Sequence, residues 1–277
     1  VTDGHYNIMI GEYAGDGFDS EIHNMGICRG TMGGPINGGE YNVAIGNNAF
    51  DALTTGDYNT AVGFEAGSSL TTGAYNTFVG YECAGNADVQ DHYNTGVGMQ
   101  CLSSLAHGSN NTAIGYSSGN DGLVIIDTED NYVVIGNNNN TTSLVKTDWT
   151  TGSDRRDKTD IVDLPEAAGL NFINQLRPIT YVWDNRSNYY PHTHEKYGER
   201  DHSKKELRIH TGFISQEVKE IEKSIGWEED HIVDTENDNS WKLKYSAIIP
   251  SLTKAVQELS AEITTLKQEV NTLKEGK

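Results

Sequence analysis

Basic residues, cysteines and long apolar runs are all scarce in this sequence of 277 residues. Residues 1–152 contain only Arg29 and Lys146 as basic residues against 17 acidic ones, and the net charge of the whole chain is -20. Such an acidic surface argues against binding to nucleic acids or anionic membranes, because both need clustered lysine and arginine. No apolar run approaches the roughly 18 residues that cross a bilayer, so we expect no membrane insertion.

The sequence also lacks the signs of a disulfide framework and of a targeting segment. Its three cysteines, at positions 28, 83 and 101, are too few and odd in number for a framework. Neither a signal peptide nor an initiator methionine is present, so we expect the chain to be a piece of a longer protein. Its length is sufficient for two domains.

A short motif ending in Tyr/Asn-Asn-x-x-Ile/Val-Gly recurs through the first half of the chain. Seven copies end at positions 11, 28, 46, 63, 80, 98 and 115, with Cys28 in one glycine position, and an eroded copy ends at Gly136. The period is therefore 17 or 18 residues over the seven copies. Short β-branched strands separated by glycine and asparagine turns at a fixed period predict an all-β solenoid of parallel coils.

Three columns of this array have physical meaning. The position before the glycine is always Ile or Val, which predicts that it faces the core. Asparagine stands four residues before the glycine and predicts a hydrogen-bonded ladder along parallel strands, with glycan contact as the alternative. The third residue after the glycine is small, so Cys83 and Cys101 in this column are predicted to be buried free thiols; a bridge between them is not required.

The repeats resemble those in the heads of trimeric autotransporter adhesins and in many phage tail fibres, which share the Asn-Thr-Ala-Ile-Gly pattern seen at 111–115. The resemblance covers about residues 1–140 and implies a trimeric β-roll or β-helix shaft. We expect about six strand residues per coil. Because this makes a thin core, the shaft should depend on association with sister chains.

Four segments of the second half resemble, in order, the intramolecular chaperone auto-processing domain at the C-terminus of phage tail spikes and fibres. These are 153–158, 176–183, 212–218 and 245–259, with Ser215 where that family usually has alanine. The resemblance implies an α+β domain that trimerises, assists folding of the preceding fibre and then cuts itself off. It further implies a virion location for the fibre, release of the chaperone in the host cytoplasm, and a host-surface glycan or protein as receptor.

The end of the chain carries a heptad pattern. Positions a are Ile249, Val256, Ile263 and Val270, and positions d are Leu252, Leu259, Leu266 and Leu273. This spacing predicts a coiled-coil helix, although β-branched a with leucine d favours two strands in isolated parallel coils. We expect a homotrimer because an adjoining fold can override that preference. Packing of these helices against the shaft is the alternative.

The candidate catalytic residues are Ser153 and Lys158. A serine hydroxyl is a weak nucleophile until a base removes its proton, and a lysine can be that base once desolvation or nearby cations lower its pKa from about 10.4. Ser153 can attack the carbonyl of Gly152, which lacks a β-carbon, in an acyl shift from nitrogen to oxygen. We therefore expect cleavage at Gly152–Ser153, with Ser153–Asp154 as the alternative bond.

Charged neighbours complete this motif. Asp154 and Arg156 match the family pattern, Arg155 and Arg156 would favour a neutral lysine, and Asp157 and Asp154 would oppose it if they lay closer. The predicted enzyme is a single-turnover serine peptidase that needs no cofactor and no metal. His192, His194, His202 and His210 and the surrounding polar loop lack ligand-like spacing, so we expect a solvated loop.

These observations predict four segments: a shaft over 1–145, a linker over 146–152, the chaperone domain over 153–245 and the coiled-coil helix over 246–277. The predicted function is the distal segment of a tail fibre or spike. The alternative is the end of a polysaccharide-degrading spike whose enzyme lies upstream, since residues 1–152 present no evident carboxylate pair. A membrane-tethered transcription regulator is disfavoured because neither a basic DNA-binding region nor a transmembrane helix is present.

Overall fold

The computed structural model describes residues 4–18, 20–85, 92–121, 124–140, 142–144, 146, 151–190, 194–235 and 241–275. The chain divides into two compact units, one of Val1–Leu144 with Asn185–Asp201 and one of Val145–Asp184 with His202–Lys277. Within its described part, no helix combines the length and the apolar character needed to cross a membrane.

The first unit is the parallel β-solenoid that the repeats predict, with about seven turns. Its strands are β1 (Ile8–Ile10), β2 (Met25–Ile27), β3 (Val43–Ile45), β4 (Thr60–Val62), β5 (Thr77–Val79), β6 (Thr95–Val97), β7 (Thr112–Ile114), β8 (Asn120–Asp121), β9 (Val124–Ile125) and β10 (Val133–Ile135). Strands β1 to β7 and then β10 form one sheet in which each pairs with the next in parallel, equivalent residues side by side. Strands β8 and β9 form a separate antiparallel pair.

Each strand of the sheet has three residues, so the expectation of six was wrong. Left-handed turns bend the chain at both ends of a strand: Tyr58 has φ 55° before β4, and Gly63 has φ 139° after it. A β-carbon at Gly63 would lie 2.3 Å from the carbonyl oxygen of Gly80 in the next coil. Only glycine can therefore close the coil this tightly at that position.

The buried asparagine column forms the predicted ladder. The backbone N–H of Asn59 donates to Oδ1 of Asn42 at 2.9 Å, and the N–H of Asn76 donates to Oδ1 of Asn59 at the same distance. The side-chain amide of Asn59 donates to the carbonyl of Gly73 at 2.8 Å. Each amide thus satisfies a buried turn in its own coil and an N–H in the next, which is why a polar residue recurs inside the solenoid.

The structure corrects the orientation of the Ile/Val column, which faces outward and not into the core. Ile10 is 58% exposed and Ile114 43%, whereas Ala44 and Phe78, at the middle position of their strands, are fully buried. Successive strand side chains alternate between faces, so only the middle residue of three points inward. The inward column tolerates Gly, Ala and Phe because neighbours compensate: Gly96 lies beside Phe78, whose ring would contact a β-carbon at residue 96.

The small-residue column lies in the core as predicted, and Cys83 and Cys101 are buried free thiols. The Sγ of Cys101 donates to the carbonyl of Ala113 at 3.1 Å. A hydrogen bond with Cys101, together with burial, raises the pKa of the Cys83 thiol. Both cysteines therefore act as small core residues.

One outward column is a stack of rings two residues before the strands, here called the leading ladder: Tyr6, His23, Tyr41, Tyr58, Tyr75 and Tyr93. Successive ring centroids are 4.7–5.1 Å apart and nearly parallel. All six residues have positive φ, a conformation that costs an L-residue about 1–2 kcal/mol. Ring stacking, worth about 0.5–1.5 kcal/mol per pair, offsets part of that strain.

The solenoid ends in the asparagine run 137–140, whose composition predicts a turn-rich exit and not a metal site. The backbone N–H of Asn137 donates to Oδ1 of Asn140 at 2.7 Å, and its side-chain amide donates to the carbonyl of Tyr116 at 2.9 Å. Asn140 thereby folds back over Gly136. These bonds satisfy backbone groups at the open end of the coil stack.

The second unit is a small α+β fold that ends in a long helix. Its elements are α1 (Leu170–Gln175), β11 (Ile179–Tyr181), β12 (His210–Gly212), α2 (Ser215–Ser224), β13 (Val233–Asp234), β14 (Lys242–Leu243) and α3 (Ile248–Glu275). Strand β11 pairs antiparallel with β12, and β13 pairs antiparallel with β14. A core of Phe172, Val218, Ile232 and Val233 lies between α1, α2 and the second hairpin.

Helix α3 presents two different faces. Ser251 and Ala255 are buried, and the carboxylate of Glu258 accepts the N–H of Leu170 at 2.7 Å, which attaches this face to the start of α1. Gly169 allows the approach, because a β-carbon there would lie 2.4 Å from the Glu258 carboxylate. The heptad positions lie on the other face and are 42–72% exposed. The heptad face therefore has no apolar cover within the single chain's described residues.

Candidate functional site

The two predicted catalytic side chains lie together. Nζ of Lys158 donates a hydrogen bond to Oγ of Ser153 at 2.6 Å. A 3-10 turn over Arg155–Asp157 produces this contact, because it bends the six-residue segment 153–158 until its first and last side chains meet. The backbone N–H of Lys158 closes the turn by donating to the carbonyl of Arg155 at 3.2 Å.

Asp154 and Arg156 build the turn and contact each other. The carboxylate of Asp154 caps the turn by accepting the backbone N–H of Arg156 at 2.8 Å. The guanidinium of Arg156 also binds this carboxylate through Nη2 at 2.6 Å and through Nε at 3.1 Å. These side-chain bonds from Arg156 lower the pKa of Asp154. The negative charge of Asp154 is therefore compensated within the turn.

The segment is open to solvent in the single chain. Gly152, Ser153 and Lys158 are all exposed, and a β-carbon at Gly152 would meet no atom within 4 Å. The carbonyl before Ser153 is thus accessible to attack. The apolar surroundings that would remove water from the lysine are not supplied by the described residues of this chain.

The other motifs of the second unit have structural roles. Arg177 forms an ion pair with Glu217, with Nε and Oε2 3.1 Å apart, and so connects the approach to β11 with the first turn of α2. Gly212 lies under the phenol of Tyr245, whose oxygen would be 2.2 Å from a β-carbon there. The N–H of Phe213 donates to that phenol oxygen at 3.2 Å. The family resemblance implies a strand within 176–183 and a helix start within 212–218, and the structure has β11 and the start of α2 there.

A buried ionic cluster in α2 was not anticipated. Nζ of Lys219 lies 2.7 Å from Oδ1 of Asp230 and 3.7 Å from Oε2 of Glu222, and it donates to the carbonyl of Glu229 at 3.0 Å. Lys219 and Glu222 are both buried. The other Glu222 oxygen accepts the N–H of Ile232 at 2.6 Å. No periodicity in the sequence marks this cluster, which attaches α2 to the loop before β13.

The histidines do not form a metal site in the part of the chain that the structure describes, where no three potential ligands cluster. His194 stacks on Tyr190 at 4.8 Å, and His202 contacts Asp184 at 2.6 Å. His210 stacks on Tyr181. His192 and Thr193 lie outside the described residues. The sequence also predicts a hairpin turn over 234–239, whose residues 236–239 lie outside the described residues as well, while strands β13 and β14 on either side pair.

The fold and the site together define a repeat-built shaft followed by a small module with a serine–lysine contact at its first residues. Residues 153–227 match the model of the peptidase family Peptidase_S74, described as chaperone of endosialidase. The match includes the first three of the four motifs and supports an intramolecular chaperone domain in this part of the chain. No curated protein matches the chain significantly. No solved structure does so either.

The family match indicates the class of protein and its general activity. It points to a virion-associated protein of phage tail fibre or tail spike type that carries its own chaperone. The family also implies self-cleaving peptidase activity in general terms.

Proposed function

We propose that this chain is the distal segment of a tail fibre or spike, that it assembles as a parallel homotrimer, and that its C-terminal domain then removes itself by one cut. Ser153 is the nucleophile, Lys158 is the base and Gly152–Ser153 is the scissile bond. The observation that carries the proposal is the 2.6 Å contact between Lys158 Nζ and Ser153 Oγ beside an open Gly152.

The chemistry is an acyl shift followed by hydrolysis. Neutral Lys158 accepts the Ser153 hydroxyl proton while Oγ attacks the carbonyl carbon of Gly152, forming a five-membered ring. The carbon–nitrogen bond then breaks, and the ammonium of Lys158 returns the proton to the departing amine. Water hydrolyses the resulting ester, leaving a carboxylate on Gly152, a free hydroxyl on Ser153 and an amine at its new N-terminus.

Assembly supplies what the single chain lacks for this reaction. A lysine in bulk water stays protonated at neutral pH, so a base requires that water be excluded around it. Both side chains are exposed in the single chain. We therefore expect cleavage in the assembled oligomer and not in the unfolded or monomeric chain.

Two exposed surfaces favour parallel association of identical chains, and the resemblance to tail fibres and adhesin heads favours three chains. The outward strand positions of the shaft carry no charged residue in any copy, although residues 1–152 are strongly acidic. The heptad face of α3 is exposed along its whole length. Exposed apolar surfaces of this extent mark interaction sites, and a parallel arrangement of identical chains covers both at once. Light scattering that gave a folded monomer of 30.4 kDa would contradict this arrangement.

Mass spectrometry of purified variants tests the cut. Ser153→Ala and Lys158→Arg should each leave a full-length, assembled chain, because the first lacks the nucleophile and the second keeps its proton at any working pH. Ser153→Cys is the matched control: it should retain some cleavage, since a thiol attacks through the same ring. Undiminished cleavage of Ser153→Ala would reject the mechanism, and a product beginning at Asp154 would move the bond and exclude the acyl shift.

The shaft is proposed to attach to a glycan or protein on the host surface. The support for this role is the resemblance of its repeats to adhesin heads and tail fibres. Binding of the fluorescently labelled, processed shaft to host cells, with the released C-terminal fragment as control, tests it. Equal binding of the two fragments would show that the shaft has no specific attachment role.

A further inference from the structure

Over the coils of β4 to β7, a second column of exposed apolar residues borders the shaft's sheet opposite the leading ladder. Elsewhere this column holds Glu12, Arg29, Asn47 and Asn137. The apolar part consists of Phe64, Tyr81, Met99 and Tyr116, each two residues after a strand, and is here called the trailing ladder. These four side chains are 39–53% exposed. Rings Phe64 and Tyr81 stack with centroids 5.3 Å apart.

The two ladders stand at opposite ends of the same strands. Strand β5, for example, has Tyr75 two residues before it and Tyr81 two residues after it. Between them lie the outward strand positions, which are uncharged throughout the array. The outward face is therefore an uncharged strip of threonine and apolar side chains, bordered on one side by the leading ladder and, over the coils of β4 to β7, by the trailing ladder on the other.

We infer that in the assembled shaft the leading ladder of each chain packs against the trailing ladder of the next. This deepens, and rests on, the proposed parallel association. Chains arranged around an axis along the shaft meet by unlike edges, and such head-to-tail contacts close into a ring. Two borders of matched chemistry fit this requirement, because aromatic side chains are enriched in interface cores.

A second copy of the chain is the occupant that the spacing selects. Both ladders place one residue in each coil that they occupy, and they occur together in the coils of β4, β5 and β6. The ring spacings of the leading ladder, 4.7–5.1 Å, and of the trailing pair Phe64–Tyr81, 5.3 Å, are nearly equal. Two rows of side chains can interdigitate along the shaft only if they share this repeat. A second copy of the chain has the same repeat because it has the same sequence. The rings of the leading ladder also stack on one another, so their faces are occupied and their edges are what a partner meets.

Oxidative coupling of tyrosines in the full chain carrying Ser153→Ala tests the contact. Brief photo-oxidation should produce covalent oligomers on denaturing gels. Peptide mapping of these oligomers should join a leading-ladder tyrosine to Tyr81 or Tyr116. Replacing Phe64 by tyrosine should add one new joined peptide, because it places a further phenol in the trailing ladder.

The repeats themselves show which substitutions the coil accepts at these positions. Tyr81→Asn with Tyr116→Asn removes both trailing phenols, and Asn47 and Asn137 occupy the same column naturally. We expect this variant to lose at least tenfold of the covalent oligomer. The control Tyr13→Asn, in a column where Asn48 has the same left-handed backbone, should couple as the parent does.

The outcomes separate this inference from the proposed trimer. A monomer by analytical ultracentrifugation would overturn both. A trimer whose joined peptides lack leading-to-trailing pairs, or that couples equally well after Tyr81→Asn with Tyr116→Asn, would overturn the ladder contact alone. Nitration by tetranitromethane gives a further test, because a partner should protect the leading ladder. Equal nitration rates for Tyr58, Tyr75 and Tyr13 in the trimer would also overturn the ladder contact alone.

Discussion

The two units of this chain are held together by different kinds of contact. In the solenoid, each buried asparagine bonds the coil beside it, and each core residue contacts neighbours about 17 positions away. In the C-terminal unit, single contacts join distant segments: Glu258 binds the start of α1, 88 residues earlier, and Arg177 binds Glu217 across 40 residues. The first unit therefore repeats one set of contacts from coil to coil, whereas the contacts of the second unit do not repeat.

This difference explains why the second unit can serve the first. A stack of coils with only nearest-neighbour contacts can begin anywhere and in any register between chains, because its repeats are nearly equivalent. The α+β core is not repetitive, so in the proposed trimer we expect it to fix one alignment of sister chains. On this proposal, the contacts that set the register are no longer needed once the shaft is assembled.

The strongest test of this comparison removes the second unit before assembly. A chain ending at Gly152 should express as insoluble or misassembled protein, because nothing sets the register of its coils. The same shaft released after assembly should remain trimeric and resist heat and detergent. Normal yields of native trimer from the isolated shaft chain, measured by size-exclusion chromatography, would show that the C-terminal unit is dispensable.

The buried ionic cluster of the second unit should be its weakest point under mutation. Lys219→Met leaves Glu222 buried without its positive partner, which costs about 3–5 kcal/mol. Tryptophan fluorescence reports this unit selectively, because all four tryptophans lie after residue 148. We expect an earlier fluorescence transition in denaturant. The exposed Lys267→Met on α3 is the control, and an equal effect of both variants would contradict a special role for the cluster.

A single asparagine of the ladder should matter less, but still measurably. Asn59→Ala deprives the carbonyl of Gly73 and the N–H of Asn76 of their buried partners, at about 2–5 kcal/mol for the two groups. Asn47→Ala is the matched control, since its side chain accepts one exposed N–H, from Arg29. The expected result is a lower far-UV circular dichroism midpoint for Asn59→Ala only. Equal midpoints would mean that the ladder is not a source of shaft stability.

The sequence predicts the repetitive unit well because its columns report one environment many times. The period, the parallel coils, the asparagine ladder and the buried thiols all follow from it. The facing of the Ile/Val column was wrong because an apolar column indicates burial without saying which partner covers it. No described residue of the single chain covers that column. The inward column beside it is hard to recognise in the sequence, because its residues vary from Phe78 to Gly96.

Much less of the second unit could be predicted, for a physical reason. The serine–lysine contact is local, and its spacing within one turn is visible in the sequence. The contacts of Arg177 with Glu217 and of Lys219 with Asp230 depend on how non-repeating segments fold together. Without a period, nothing in the sequence distinguishes Lys219, buried in the core, from the solvated lysines around it.

Acid should lower the stability of the second unit through Asp230. We expect this effect to be smaller than the effects of the truncation and of the two substitutions. Partial burial raises the pKa of Asp230, but the hydrogen bonds from Lys219 and Thr235 outweigh it and lower that pKa to about 2. The unfolded chain has an aspartate pKa of about 3.9, so it binds protons first as the pH falls. The stabilisation from Asp230 is therefore complete above about pH 4 and is lost progressively down to about pH 2.

Unfolding measurements can give both the size of this acid effect and the residue that causes it. Because water partly screens the Asp230 carboxylate, we expect a loss of about 1 kcal/mol. The asparagine ladder of the shaft has no proton to gain in this range. Fluorescence unfolding of the Ser153→Ala chain between pH 5 and pH 2.5 should show the decline, and Asp230→Asn should flatten it. A decline of the same size in the Asp230→Asn variant would assign the acid sensitivity to other carboxylates.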